Sequence, residues 1–179
     1  ITREAIQFNA SSDHLLDATE FDHLIDHTAR HRHRHPGACH VCAGWRREAA
    51  DLYRGPLLAQ FSLPDSAEFE TWLLARREEI HRAAMTNFEW LAHYHLGRSD
   101  FDTARFFAGR QLAYEPWHEP AHRQAMLALA RRGDRAAALK QYRACVRALN
   151  EELGVAPEEA TTLLCERIRD GALPPEHTA

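Results

Sequence analysis

The feature that most constrains this chain is a register of 34 residues in its second half. Asp100 and Asp134 each open a helical pattern and stand 34 residues apart, as do Ala104 and Ala138 one turn further on. A glycine ends the helix before each aspartate, Gly97 in the first copy and Gly133 in the second. A period of this length, built from two helices and a turn, marks a helical repeat. One such unit cannot bury its apolar face alone, so it must stack on its neighbours. The register therefore predicts a stack of helices, and a surface for binding, before it predicts any chemistry.

The flanks extend the stack. Ile6 and Phe8 alternate with Gln7 and Asn9, and a turn cluster follows from Asn9 to Asp13. This pattern predicts a short strand, a turn and a return over residues 1–16. Asp17 with Glu20 three residues later reads as a capping start, and Phe21, Leu24, Ile25 and Thr28 recur at helical spacing as far as about Arg32. A second helix runs from Cys42 through Trp45, Ala49 and Leu52 to a stop at Gly55-Pro56. Leu57, Leu58, Phe61 and Leu63 then form an apolar connector, expected to fold down onto the core. Pro64 to Gly97 reads as one long helix with Phe69, Trp72, Leu73, Ile80, Phe88 and Leu91 inward; the charges from Arg76 to Glu79 read as a solvated face. Four more helices follow, from Asp100, Glu119, Asp134 and Pro157, the last one capping the open end near Asp170. The expected architecture is all-α, a tetratricopeptide-like stack of helical hairpins with about seven helices and a short N-terminal β-hairpin remnant. It divides into an N-terminal tail or linker (1–16), a helical domain (17–170) and a frayed tail (171–179).

Composition narrows the function. A net charge of −4 argues against a surface that wraps nucleic acid as a whole. No run of about 18 apolar residues is present to cross a membrane, and no secretory leader is visible, so cytoplasmic is the expected compartment. A chain opening on Ile1 rather than Met reads as part of something longer. Enzyme motifs are missing: there is no GxGxxG, GxxxxGK[ST], GxSxG or HExxH. The expectation is a non-enzyme. His118 between Glu115 and Glu119 reads as a corner between helices plugged by Trp117, and Cys145 and Cys165 as inert thiols on helices.

One stretch stands apart. From His31 to Cys42 the chain reads HRHRHPGACHVC. Cys39 and Cys42 have the CxxC spacing that presents two sulfurs to one metal, and histidines precede them. The proposed ligand set is His31, His33, Cys39 and Cys42, with His35 as substitute, around a structural zinc. Four protein ligands leave no place for a reactive water. The same stretch also reads as a solvated, His-rich basic loop with half-buried cysteines, or as a redox dithiol, although a redox CxxC normally opens a helix in a βαβ setting. The arginines at 30, 32 and 34, with Arg46 and Arg47, form a short basic run that phosphate could contact.

Five segments carry a family likeness. They are Leu52–Leu58 (LYRGPLL), Phe69–Trp72 followed by Arg76-Arg77-Glu78, Tyr114–Glu119 (YEPWHE), Gly133-Asp134-Arg135 with Ala138–Tyr142 (ALKQY), and Glu151–Pro157 (EELGVAP). In order and spacing, from Leu16 to Ile168, the chain resembles the bacterial transcriptional activator domain, the tetratricopeptide-like domain of antibiotic regulatory proteins and of related regulators with a STAND-type ATPase. The resemblance implies transcriptional regulation by a domain that dimerises or relays a state between modules. A winged-helix DNA-binding domain would precede it, and residues 1–16 would be that domain's last hairpin. The family pattern does not require a metal, so the His/Cys stretch stands outside the resemblance. Two other readings compete: a general tetratricopeptide adaptor for a peptide or partner helix, and a metal-binding or redox protein centred on Cys39 and Cys42.

Overall fold

The computed structural model describes Asn9 and residues 12–32 and 36–173. Among these, seven α-helices follow one another: α1 (Asp17–Arg30), α2 (His40–Leu52), α3 (Ala67–Leu96), α4 (Phe101–Tyr114), α5 (Glu119–Arg131), α6 (Arg135–Glu152) and α7 (Glu159–Asp170). The described residues contain no strand. The hairpin expected over 1–16 falls mainly outside them; within reach is a turn in which the Ser12 N–H donates to the Asn9 carbonyl at 3.1 Å.

Successive helices pack on each other all along the chain, and α3 also meets α5 and α5 meets α7. Contacts between every second helix are what a stacked array of hairpins produces, with α3, α5 and α7 on one side. The core forms around α3. Thirty residues make this helix about 45 Å long. Its second half is buried at Ile80, Ala84, Phe88, Leu91 and Ala92, against Phe21 and Leu24 of α1, Ala49 and Ala50 of α2, and Phe107 of α4. A second cluster joins Met126 and Leu129 of α5 to Ala138 of α6 and to Leu164 and Ile168 of α7. The two faces of α5 thus link the two halves.

The repeating turn is built from hydrogen bonds. In the first copy the Asp100 side chain accepts from the Thr103 N–H at 3.2 Å, and the Asp100 N–H donates to the His95 carbonyl at 2.9 Å. In the second the Asp134 side chain accepts from the Ala137 N–H at 2.9 Å, and its N–H donates to the Leu129 carbonyl at 2.9 Å. Both aspartates are N-caps and satisfy donors that the helix itself leaves unpaired. The glycine alignment, however, shifts by two residues. Gly97 is right-handed helical (φ −68°), whereas the left-handed position before the aspartate is taken by Ser99 (φ 57°) in the first turn and Gly133 (φ 93°) in the second.

Three further expectations change. The connector does not fold fully onto the core: Leu57 packs against it, but Leu58, Phe61 and Leu63 stay about half exposed, at 47%, 50% and 45%. Trp72 is 53% exposed rather than inward, whereas Leu73 beside it, a step of about 100° around the helix, is fully buried. The arginines of mid-α3 are not a solvated face. Arg76 is mostly buried and pairs with Asp22 of α1 and with Glu79, while Arg77 donates to the carbonyls of Leu57, Leu58 and Phe61 and pins the connector.

Candidate functional site

The His/Cys stretch folds into one place. Helix α1 ends at His31, whose N–H still closes on the His27 carbonyl at 3.0 Å. A 3-10 turn at Pro36–Ala38 brings the chain back, and α2 begins at His40 with Cys39 as its N-cap residue. This start is earlier than the expected Cys42 and puts Cys42 on the first turn of α2. Cys39 and Cys42 therefore face the end of α1 together. The His31 Nδ1 lies 3.6 Å from the Cys39 Sγ and 3.4 Å from the Cys42 Sγ. All three ligand atoms fall within 4.8 Å of one another. Of the expected ligand set, the structure brings His31, Cys39 and Cys42 together; His33 and the substitute His35 lie outside the described residues.

The surroundings hold the three groups in place. The His31 ring meets Trp45 of α2 edge-on, with centroids 5.4 Å apart, and His27 meets the same indole at 5.5 Å. Cys42 is buried, at 2% exposure, and Cys39 half-buried. Burial pushes the Cys42 thiol up, whereas the Cys42 backbone N–H beside its sulfur holds the Cys39 thiol down, as expected at a helix start. One turn on from Cys42, Arg46 lies over the Trp90 ring at 4.8 Å and donates to the Asn87 Oδ1 at 3.1 Å. Asn87, fully buried, donates back to the Arg46 carbonyl at 2.8 Å. Burial pulls the Arg46 guanidinium down, and the charge of the Cys42 sulfur acts against that. Its Nε is buried with no hydrogen-bond partner. A cavity of about 460 Å³ opens beside this group, lined by Thr28, His31, Cys42, Arg46 and Trp90. Chemically, two sulfurs and an imidazole can hold a soft metal ion or, with an oxidant, close into a disulfide.

Two other surfaces stand out. Phe61 of the connector meets Phe69 edge-on at 5.7 Å, and Phe69 meets Trp72 at 5.6 Å. With the neighbouring Leu58 and Leu63 of the connector, also half exposed, this makes an exposed apolar patch at the start of α3. On the side shared by α3, α5 and α7 a groove of about 610 Å³ has Leu96, Leu127 and Leu163 on its floor and Arg123, Arg131 and Arg167 along it.

Sequence reasoning missed one polar network. Burial pushes the Tyr53 hydroxyl up to about 12, so its O–H donates to the His81 Nδ1 at 2.9 Å. The other ring nitrogen of His81 then donates to the Glu115 Oε1 at 3.0 Å. The chain ties α2, α3 and the end of α4 together inside packed aromatic rings. No local spacing announces it, since its members are 28 and 34 residues apart. Trp117, expected as a plug of the next corner, is 36% exposed. The corner is held instead by His122, which donates to the Pro116 carbonyl at 2.8 Å and accepts from Gln141 at 2.8 Å.

No curated protein matches the chain. A profile of the bacterial transcriptional activator domain matches residues 16–169, from just before α1 to the last turn of α7. A match over the whole helical stack shows the family, and this chain belongs to the bacterial transcriptional activator domain family.

Proposed function

We propose that this domain is the protein-interaction and oligomerisation unit of a bacterial transcriptional regulator, that it pairs with a second copy of itself, and that it acts on DNA only through a separate DNA-binding domain. The observation that carries this reading is the family match across residues 16–169. The shape of the domain supports it: a stack of hairpins is a docking surface whose chemistry is packing. The patch of Phe61, Phe69 and Trp72 supports the choice of face, because aromatic rings left half in water are the usual anchors of an interface. A second copy suits a single patch, since the commonest homo-oligomer is a two-fold dimer in which one surface meets itself. No helix among the described residues is long and apolar enough to cross a membrane.

Sedimentation of the purified chain tests the proposal. We expect a dimer at micromolar concentration that Trp72→Ser or Phe61→Ser converts to monomer without loss of helix content. A wild-type chain that stays monomeric across the accessible concentration range sinks the self-association reading, and sequence-specific DNA binding by this chain alone at physiological salt sinks the assignment of DNA contact to another domain.

A further inference from the structure

We propose that His31, Cys39 and Cys42 bind one zinc ion, which joins the end of α1 to the start of α2 as a structural cross-link. Three observations carry this. The first is convergence. Two sulfurs approach the same nitrogen, Nδ1 of His31, at 3.6 and 3.4 Å. With the two sulfurs also close to each other, three metal-ligating atoms lie within 4.8 Å, the compactness that one shared ion requires. The second is distance. Zinc with Zn–S of about 2.3 Å and Zn–N of about 2.05 Å in a tetrahedral arrangement sets sulfur and nitrogen about 3.6 Å apart. The observed spacings match that edge. The third is preparation. Trp45 clamps the His31 ring, Cys39 sits at a helix start, and the half-buried cation of Arg46 lies one turn from Cys42. Each favours or orients a ligand before any ion arrives.

On binding, each of the two thiols gives its proton to solvent, and the two thiolates neutralise the charge of Zn²⁺. The imidazole binds as the neutral base through Nδ1, and its ring stays against Trp45. These three supply three of the four positions of a tetrahedral site and leave the fourth to solvent from the adjoining cavity, so the ion acts as a cross-link through the three protein bonds that join the end of α1 to the start of α2. The cavity beside His31 and Cys42 gives the ion a route in. A disulfide between the same cysteines needs an oxidant, whereas the ion needs only the ligands already gathered. The consequence is a tied hairpin: residues 31–39 are closed into a loop by the metal, and α1 is fastened to α2 where the stack begins.

The test uses the whole chain, reduced, stripped with a chelator and titrated with Co²⁺ and then Zn²⁺. We expect one equivalent of cobalt to raise a thiolate-to-metal charge-transfer band in the near ultraviolet with intense visible bands of tetrahedral geometry, and zinc to displace it. Zinc should also raise the melting temperature. Cys39→Ser should lose about half of the charge-transfer intensity, because one of two thiolates remains; it is expected to fold, because serine is favoured at a helix N-cap, and circular dichroism checks this. His31→Ala should weaken cobalt by more than about tenfold, a loss that even outer partners of metal ligands can cause. A reduced wild-type chain that gives no charge-transfer band, a band that survives in the Cys39→Ser, Cys42→Ser double variant, or a native Cys39–Cys42 disulfide found by peptide mapping of freshly isolated protein would each overturn the proposal.

Discussion

His122 shows how much one side chain can report. It is 3% exposed, with both ring nitrogens used: one donates to the Pro116 carbonyl and the other accepts from Gln141. That pattern needs the neutral ring, and burial, the largest cause, holds its proton affinity below the usual histidine value of 6.5. The sign of the pH effect follows. Between the folded value and 6.5 the unfolded chain binds more protons than the folded one, so stability rises with pH across that window and falls as the pH drops through about 6.5. His95, also lowered mainly by burial, adds to the same slope. Urea denaturation at a series of pH values from 7.5 down to 5 should show a falling midpoint, and His122→Gln should flatten part of that fall. An unchanged slope in the variant would mean that His122 keeps its proton when folded. From sequence, His122 was one of 13 histidines, and nothing in its neighbours in the chain marks it. Its partners come from the corner after α4 and from α6, so only the fold reveals it. Asn87, Gln111 and Thr161 are buried for the same kind of reason: polar residues on an inward face look like errors in a periodic pattern until their partners are placed. The His/Cys stretch is the opposite case. Its residues lie within twelve positions of chain, so spacing alone made them a candidate group, and the structure adds the contacts of His31 and the half-buried Arg46.

Helix starts and stops were legible because their signals are local. Asp100 and Asp134 cap their helices, Pro120 stands at the beginning of α5, and Gly154 and Gly171 take positive φ after α6 and α7. The long apolar periodicity of α3 gave its extent, since a pattern held over thirty residues leaves little room for another period. What local signals could not give was depth. Trp72 and Leu73 follow each other on α3, yet one is half exposed and the other fully buried, because one step turns a side chain about 100° around the helix and a broad apolar pattern does not say which of the two directions the neighbouring helices cover. The turn between α3 and α4 teaches a finer point. Two glycines at similar places, Gly97 and Gly133, invited a direct alignment, but the register of 34 places Ser99 opposite Gly133. Ser99 holds φ of 57° with a side chain on its Cα, a conformation that costs an L-residue about 1–2 kcal/mol. Glycine suits the position, as the second copy of the turn already demonstrates. Ser99→Gly should therefore stabilise the chain by roughly 0.5–1 kcal/mol, after the added freedom of the unfolded chain is subtracted. A rise of a few degrees in thermal melting checks it. A fall would mean that the serine side chain stabilises this turn by more than its backbone strain costs.

At the scale of the whole molecule, the arrangement is close to one-dimensional. One apolar cluster joins α1 and α2 to α3, α4 and part of α5, and a second joins the other face of α5 to α6 and α7. In such a stack stability is carried by contacts between neighbours, so damage at one end spreads unevenly. Ile168 makes this testable. It is 2% exposed and lies at the outer end, packed with Leu164, Met126 and Leu129. Ile168→Ala removes three carbons from that cluster and should cost about 2–4 kcal/mol locally. Hydrogen exchange should then show faster opening of amides in α6 and α7, while amides of α3 and α4, which rest on the first cluster, keep their protection. The start of α7 is tied to α5 by polar contacts as well: Glu119 accepts from the Glu158 N–H at 3.1 and 3.0 Å, and Arg123 donates to Thr161 at 2.9 Å. These bonds should hold the start of α7 in place, so its C-terminal half is expected to exchange first. If instead all seven helices lose protection by the same factor, the domain opens as one cooperative body, and α5 transmits the loss from the second cluster to the first rather than separating them.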